Sequence, residues 1–139
     1  MTQPRNLHMT LAFIGDIDEA RIPDLAQVAQ DVRFAPCMLA LDRCNWWKHN
    51  RIVWAGGEAP SALSAAAQEL RKGLAAAGIR FDAKAFVPHV TLLRDARTGE
   101  GLPQVAELAW PVRDFVLVSS DRDAAGPLYR IVAGPFPEQ

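Results

Sequence analysis

The chain has 139 residues, of which half are hydrophobic and 22% are charged, and its formal net charge is −1. This length suits one ordinary domain with a buried core, and the composition is typical of a globular protein. The balance of charge excludes a global positive field that would hold long nucleic acid by counterion release, so any nucleic acid would have to bind at a local site.

We expect no targeting signal in this sequence. It has no charged-then-apolar leader and no apolar run of about 18 residues, so we expect neither secretion nor a membrane span. Two cysteines, Cys37 and Cys44, are too few for a disulfide framework and lack the spacing of a metal site, and we expect free thiols in a cytoplasmic protein. No low-complexity stretch or charge block divides residues 1–139, which predicts a single domain.

Six segments carry strand signals and two carry helix signals. In chain order, the predicted strands are residues 7–14, 38–42, 52–55, 86–93, 115–118 and 129–132. The first helix is predicted from a cap at Asp18 to residue 32, and the second from a cap at Ser61 to Gly78. Only two helices are predicted for six strands, and several strands that are neighbours in the chain could form hairpins. We therefore predict the α+β class, with antiparallel sheets and helices packed outside.

Two of the three histidines lie in one repeated pattern, His-x-Thr-Leu, inside strand signals. The copies are Leu7-His8-Met9-Thr10-Leu11 and Pro88-His89-Val90-Thr91-Leu92. Copies this far apart do not indicate a solenoid, whose repeats are short and continuous. They predict two similar lobes related by a pseudo-twofold axis, with one motif from each lobe facing a central cleft.

The spacing of the motif has a direct structural consequence. Residues two apart in a strand point to the same face of a sheet, so His8 projects with Thr10, and His89 with Thr91. The apolar neighbours of each pair point to the opposite face, into a core. If pseudo-symmetry brings the strands together, two imidazoles and two hydroxyls face one cleft.

This set of groups suits the hydrolysis of a cyclic phosphodiester. A neutral histidine can take a proton from water while a protonated histidine donates to the departing ribose oxygen, and each transfer is worth roughly 10²–10⁴-fold in rate. Imidazole titrates near neutral pH, so the two protonation states can coexist. Threonine hydroxyls can donate hydrogen bonds to the non-bridging phosphate oxygens. This chemistry requires no metal or cofactor, and we expect none.

Either motif alone would be weak evidence, because a single strand histidine is usually a core or surface residue and threonine favours strands in general. Two copies in equivalent contexts favour catalysis. The alternative is that both histidines bind a transition metal, but neither motif has an Asp, Glu or Cys two residues away that would complete a ligand set.

At these residues the sequence resembles the RNA 2′,3′-cyclic phosphodiesterases of the two-histidine (2H) phosphoesterase superfamily, also called the 2′-5′ RNA ligase family. The matching segments are residues 6–15 and 86–95, supported by residues 51–54, residues 115–120 and Tyr129, so the resemblance covers nearly the whole chain.

This resemblance assigns roles to the motif residues. It implies that His8 is the proton donor and His89 the proton acceptor, with Thr10 and Thr91 on the phosphate. It also implies RNA ends as substrates, a 2′-phosphomonoester product and a weak reverse 2′-5′ ligation.

The sequence departs from the family at its start. Members usually carry a strand and a helix before the first motif, whereas His8 is almost the first residue here. Without that strand, a sheet edge near His8 or residues 115–118 would be open, and open edges pair with other chains. We therefore expect a homodimer or strand exchange.

Other residues are weaker candidates for the site. Arg94 could balance phosphate charge, although strand parity places it on the face opposite His89 unless a bulge intervenes. Trp47 could stack on a base from a predicted loop that also holds Trp46 and His49. The alternative is that one of these tryptophans packs in the core and His49 is solvated.

Trp54 alternates with Ile52 on a predicted strand, and we expect it in the core. Arg71 and Lys72 are expected on the solvated face of the second helix. Two other functions are consistent with the sequence. One is a phosphodiesterase for small cyclic nucleotides or a cyclic ADP-ribose phosphate, which residues 43–51 would decide, and the other is a non-catalytic RNA-end binder.

Overall fold

Strands dominate the computed structural model, which describes residues 1–97, 99–102 and 106–137. Within that part of the chain, the α-helices are α1 (Ile22–Gln30) and α2 (Ser61–Ala76). The strands are β1 (Cys37–Leu41), β2 (Arg43–Trp47), β3 (Ile52–Gly56), β4 (His89–Leu93), β5 (Leu108–Val112), β6 (Phe115–Asp123) and β7 (Gly126–Phe136). They form three antiparallel sheets, β1–β5, β2–β3–β4 and β6–β7. The predicted α+β class with antiparallel sheets is confirmed.

The helices pack apolar stripes against the sheets. Helix α2 buries residues at spacings of three and four, which is one face of an α-helix: Leu63, Ala66, Ala67, Leu70 and Leu74. All of these except Ala67 share a core with Leu39 of β1, Val90 of β4 and Val112 of β5. The core therefore lies on the helical side of the sheets, and the other face of β4 is left open.

The predicted caps differ in outcome. The Asp18 carboxylate accepts a hydrogen bond from the Ala20 amide at 3.0 Å and caps a 3₁₀ turn, Glu19–Arg21, that leads into α1. The predicted cap at Ser61 is wrong, because Pro60 is the N-cap and makes no side-chain hydrogen bond. The extended backbone of Pro60 instead turns its carbonyl oxygen toward the amides of Leu63 and Ser64.

The predicted strand over residues 7–14 is wrong as a continuous element. Only Met9 pairs with a sheet, in an isolated antiparallel bridge with Val90. Beyond it, the successive residues Leu11 and Ala12 both pack against the core, which the alternation of a strand does not permit. The backbone then continues as a connection, in which the Phe13 carbonyl accepts the Asp82 amide.

The sequence patterns did not predict two of the strands, β2 and β5. Most of the predicted loop 43–51 is β2, which pairs with β3 and leaves only four residues in the turn. The chain changes sheets at Asp42, because β1 pairs with β5 instead. Strand β5 contains Pro111, a residue that lacks a backbone N–H and is tolerated at a sheet edge.

Candidate active site

The two His-x-Thr motifs meet at the bridge between Met9 and Val90. Val90 is buried at 8% exposure and Met9 packs against the same core. Residues on either side of a strand residue point to the opposite face. The side chains of His8, Thr10, His89 and Thr91 therefore share the open face.

The antiparallel register of this bridge sets how the four side chains are arranged. His8 lies across from Thr91, and Thr10 lies across from His89. A local twofold axis through the bridge relates one motif to the other. The histidines are diagonal neighbours in this register, a relationship that separates residues by about 7–8 Å. Two imidazoles at that separation can reach one phosphate from opposite sides.

Both imidazole rings are held in the same way. The Nδ1 atom of His8 is 2.5 Å from the carbonyl oxygen of Asn6, and the Nδ1 atom of His89 is 2.7 Å from that of Val87. A carbonyl oxygen only accepts, so each Nδ1 carries a proton and donates it. The other ring nitrogen, Nε2, has no hydrogen-bond partner among the residues that the structure describes. Each Nε2 is therefore available to give or take a proton.

Two indole rings enclose the His89 side of the site. The ring of Trp47 meets His89 edge-on at a centroid distance of 4.7 Å, and the ring of Trp54 lies 6.4 Å away. The two indoles are 4.8 Å apart. In the β2–β3–β4 register, Trp54 lies across from Thr91, which places it on the open face. The prediction that Trp54 is a core residue is wrong, because Val53 and Ala55 occupy the core face of β3.

Gly56 makes room for this arrangement. It lies across from His89, and a Cβ atom there would lie 2.6 Å from the Pro88 carbonyl oxygen and 2.7 Å from the Trp54 ring. Both separations are shorter than real Cβ contacts allow, so a side chain at position 56 would displace the strand of His89 or the indole. Glycine is needed here for close approach.

The His8 side of the site is more open and has different neighbours. His8 is exposed, and its ring lies 4.5 Å from that of Tyr129 on β7. The buried Asn6, whose carbonyl holds His8, donates its side-chain amide to the Pro127 carbonyl at 2.9 Å. The first motif is thus anchored to the β6–β7 hairpin.

An ion pair strengthens the same anchor. Arg5 binds both carboxylate oxygens of Asp123, at 3.1 Å and 2.9 Å. The hydrogen bonds from Arg5 hold the pKa of the Asp123 carboxyl below its usual range. Both side chains are exposed, and we therefore assign this pair a role in orientation rather than a large role in stability.

The remaining predicted residues fall in three places. Arg94 is exposed and directly follows β4. The pairing of β3 with β4 shifts register between Val53 and Trp54, and a shift of this kind is what Arg94 would need in order to lie on the open face. Trp46 points away from the site and donates its indole N–H to the Ala96 carbonyl at 3.1 Å. His49 is exposed, 6.1 Å from Trp47.

Sequence reasoning missed two contributors to this site. Tyr129 was included only through the family resemblance, and Gly56 was not singled out. The sequence held no signal for Trp54, because Ile52 and Trp54 are the larger apolar residues of β3 and would ordinarily be taken as its core face. Within the described ranges, no three His, Cys, Asp or Glu side chains cluster as a metal site would require. No described helix is long and apolar enough to cross a membrane.

The prediction that Arg71 lies on the solvated face of the second helix is wrong. Arg71 is half-buried, donates to the Lys84 carbonyl at 2.6 Å, and lies over the Phe81 ring with 5.8 Å from its guanidinium carbon to the centroid. These contacts attach α2 to the segment that leads toward β4. Lys72 is exposed, as predicted.

Comparison with known proteins places this geometry in a family context. The family model described as the 2′-5′ RNA ligase superfamily matches residues 2–124. The RNA 2′,3′-cyclic phosphodiesterase of Escherichia coli strain K12 is 34% identical over 117 residues, which cover 83% of this chain and 66% of that protein. The protein of the same name from Thermotoga maritima is 30% identical and is covered over 73% of its length.

Solved structures show the same similarity. The crystal structure of E. coli LigT complexed with 3′-AMP superposes with a TM-score of 0.85 at 32% identity, covering 92% of this chain and 75% of that one. A structure from Thermus thermophilus superposes with a TM-score of 0.80 at 30% identity and is covered over 78% of its length.

Proposed function

Because this chain belongs to the 2′-5′ RNA ligase superfamily, we propose that it hydrolyses RNA 2′,3′-cyclic phosphodiester ends to 2′-phosphomonoesters. The observation that carries this proposal is the Met9–Val90 bridge, which sets two histidines and two threonines on one open face. The names of the relatives support the same substrate, since they act on RNA 2′,3′-cyclic phosphates. The catalytic unit spans both halves of the chain, so we propose one domain over residues 1–139.

The proposed reaction is one in-line displacement with two proton transfers. His89 takes a proton from water through Nε2, and the water oxygen attacks phosphorus. The bond from phosphorus to the ribose O3′ breaks, and O3′ takes a proton from Nε2 of His8. The product carries a 2′-phosphate and a free 3′-hydroxyl. The order of the two roles follows the family resemblance, because the local twofold axis makes the two histidines equivalent by position.

The threonines are proposed to bind the phosphate group. Thr10 and Thr91 lie across from the opposite motif's histidine, on the face where the phosphate would sit. Their hydroxyls can donate to the two non-bridging oxygens, whose negative charge grows in the transition state. Arg94 would add a cation at the end of β4. Neither role requires a metal ion, and we propose metal-independent hydrolysis.

The indole wall is proposed to hold the nucleobase. Trp47 is half-buried and lies against both Trp54 and His89. Stacking of a base on such a ring contributes about 1–3 kcal/mol and tolerates all four bases. The E. coli LigT structure complexed with 3′-AMP supports nucleotide binding by this chain, because the two folds are similar. Reversal of the same reaction would join a 2′-phosphate end to another RNA end, which we propose as a weak second activity.

The test is turnover of 2′,3′-cyclic nucleotides and of RNA ends in the presence of EDTA. We expect hydrolysis to a 2′-phosphate that EDTA does not reduce. Activity abolished by EDTA and restored by a divalent metal would refute the metal-independent mechanism. Binding of RNA ends without any turnover would favour the non-catalytic binder, and preferential turnover of a cyclic ADP-ribose phosphate would favour the small-nucleotide alternative.

We also propose a homodimer formed through an open sheet edge. Among the described residues, β6 pairs only with β7, so each of these strands has a free edge. Apolar side chains are exposed on the same hairpin, with Val116 at 38% and Ile131 at 67% exposure. Light scattering at micromolar concentration tests this, and a strictly monomeric mass would contradict it. A cytoplasmic location is proposed from the two free cysteines.

A further inference from the structure

Basic side chains are concentrated at one end of the β2–β3–β4 sheet. The turn between β2 and β3 carries Lys48 and Arg51, and the segment after β4 carries Arg94 and Arg97. All four side chains are exposed, and none of them forms an ion pair or side-chain hydrogen bond with another described residue. We call these four residues the basic end of the sheet.

The two segments of the basic end are tied together. The Ala96 amide donates to the Arg51 carbonyl at 2.9 Å, and Arg51 itself has a positive φ of 55° that turns the chain sharply there. The exposed Asp95 is the one carboxylate between the arginines of the second segment. Four cations against this one carboxylate give the two tied segments a net positive charge.

The basic end adjoins the proposed catalytic site. Lys48 directly follows Trp47, and the ring centroids of Trp47 and His89 are 4.7 Å apart. Arg94 comes three residues after Thr91. The basic end therefore continues the His89 side of the cleft, beyond the wall of indoles. The whole chain has a formal charge of −1, so this end is a local concentration of positive charge rather than part of a basic surface.

A mononucleotide substrate gives these cations nothing to bind, because its single phosphate is already held by the histidines and threonines. An RNA chain ending in a cyclic phosphate carries further phosphates on its 5′ side. Resting on the proposed function, we propose that Lys48, Arg51 and Arg97 bind the backbone phosphates upstream of the cyclic end. The protein would then prefer the end of an RNA chain to a 2′,3′-cyclic mononucleotide.

Salt dependence of binding tests the contact directly. A fluorescently labelled single-stranded oligoribonucleotide with a 2′-phosphate end is titrated with protein at several NaCl concentrations, and fluorescence anisotropy gives the affinity. Each phosphate neutralised contributes about 0.7 to the slope of log K against log salt for a single strand. The triple variant K48Q/R51Q/R97Q should therefore lower the magnitude of this slope by about 2.

The matched control is K72Q/R80Q/R113Q, which removes three exposed cations elsewhere on the chain. Both triple variants lower the net charge by the same amount, so a general electrostatic effect would change the salt slope equally in both. We expect the control to keep the wild-type slope. Equal slopes for the wild type and K48Q/R51Q/R97Q would overturn the proposal, and so would equal losses in the two triple variants.

Kinetics separates this proposal from the proposed function. We expect K48Q/R51Q/R97Q to lower kcat/KM for the cyclic-phosphate oligonucleotide roughly 10-fold at low salt while 2′,3′-cyclic CMP turnover stays unchanged. Equal loss on both substrates would overturn the phosphate contact and indicate damage to the catalytic site. Wild-type protein inactive on both substrates would refute the proposed function alone, because the binding slopes still decide whether the basic end contacts RNA.

Discussion

His8 and His89 each donate the Nδ1 proton to the carbonyl oxygen two residues earlier in the chain, at 2.5 Å and 2.7 Å. The two rings are therefore the same tautomer and present Nε2 to the same open face. Under the proposed mechanism, either ring could therefore act through Nε2 as the proton donor or as the proton acceptor. The surroundings differ, since two indoles enclose His89 and a tyrosine ring adjoins His8.

Removing either imidazole should abolish one proton transfer. We expect His8→Ala and His89→Ala each to lower kcat roughly 10²–10⁴-fold. The wild-type pH profile of kcat/KM should be bell-shaped; His89→Ala should lose the rise on the acid side, and His8→Ala the fall on the alkaline side. The measurement is hydrolysis of 2′,3′-cyclic CMP across pH 5–9.

The third histidine is the matched control for these variants. His49 is exposed and its ring lies 6.1 Å from that of Trp47, so it is close to the site without belonging to either motif. We expect His49→Ala to keep the wild-type pH profile. Full activity in both motif variants would refute the assignment of His8 and His89.

The threonine hydroxyls should matter to rate more than to stability. Thr10→Val and Thr91→Val keep the shape of the side chain and remove only the donor. A hydrogen bond to a charged group is worth about 1.5–3 kcal/mol, so kcat should fall roughly 10–100-fold. Steady-state kinetics with the Thr→Ser variants as controls checks this, since serine restores the hydroxyl. If the serine variants were as slow as the valine variants, the hydroxyls would not be the active groups.

A methyl group at position 56 should disturb both stability and the site. In Gly56→Ala the new Cβ would meet the Pro88 carbonyl and the Trp54 ring, and overpacking of this kind costs about 1–3 kcal/mol. We expect a lower urea midpoint and a lower kcat, because β4 carries His89.

Gly73→Ala is the control for the glycine variant. Its Cβ would lie 2.8 Å from the Cγ1 atom of Val28, which is a side chain that can shift rather than backbone, and alanine favours a helix over glycine by roughly 1 kcal/mol. Urea denaturation should show a smaller loss of stability for Gly73→Ala than for Gly56→Ala. An unchanged midpoint in Gly56→Ala would contradict the close approach at His89.

Both cysteines should react slowly with alkylating reagents. Burial raises the pKa of the Cys37 and Cys44 thiols, so the reactive thiolate is scarcer in the folded chain than in the unfolded chain at neutral pH. Labelling by iodoacetamide should accelerate on unfolding in urea and on raising the pH. Mass spectrometry resolves the two sites, and equal rates in folded and unfolded protein at pH 7 would contradict the prediction.

Local patterns predicted the helices and most strands because those signals depend on near neighbours. The apolar stripe of α2 and the β-branched run of β6 identify their own conformations. The strand predicted over residues 7–14 failed because its middle residues pack into the core instead of alternating. Strand β2 was missed because Arg43 and Asn45 face solvent, and only pairing with β3 reveals the strand.

The sequence by itself determined the family of this protein, because two copies of His-x-Thr-Leu identified it, and the comparisons confirm that family. Only the tertiary structure decided which face of β3 is the core face. Val53 and Ala55 are buried on that face, so Trp54 lies on the other face and lines the site. The register of Met9 with Val90 was likewise decided only by the tertiary structure. Pairing between segments so far apart in the chain depends on the whole core, because no local signal encodes which residues meet across two strands.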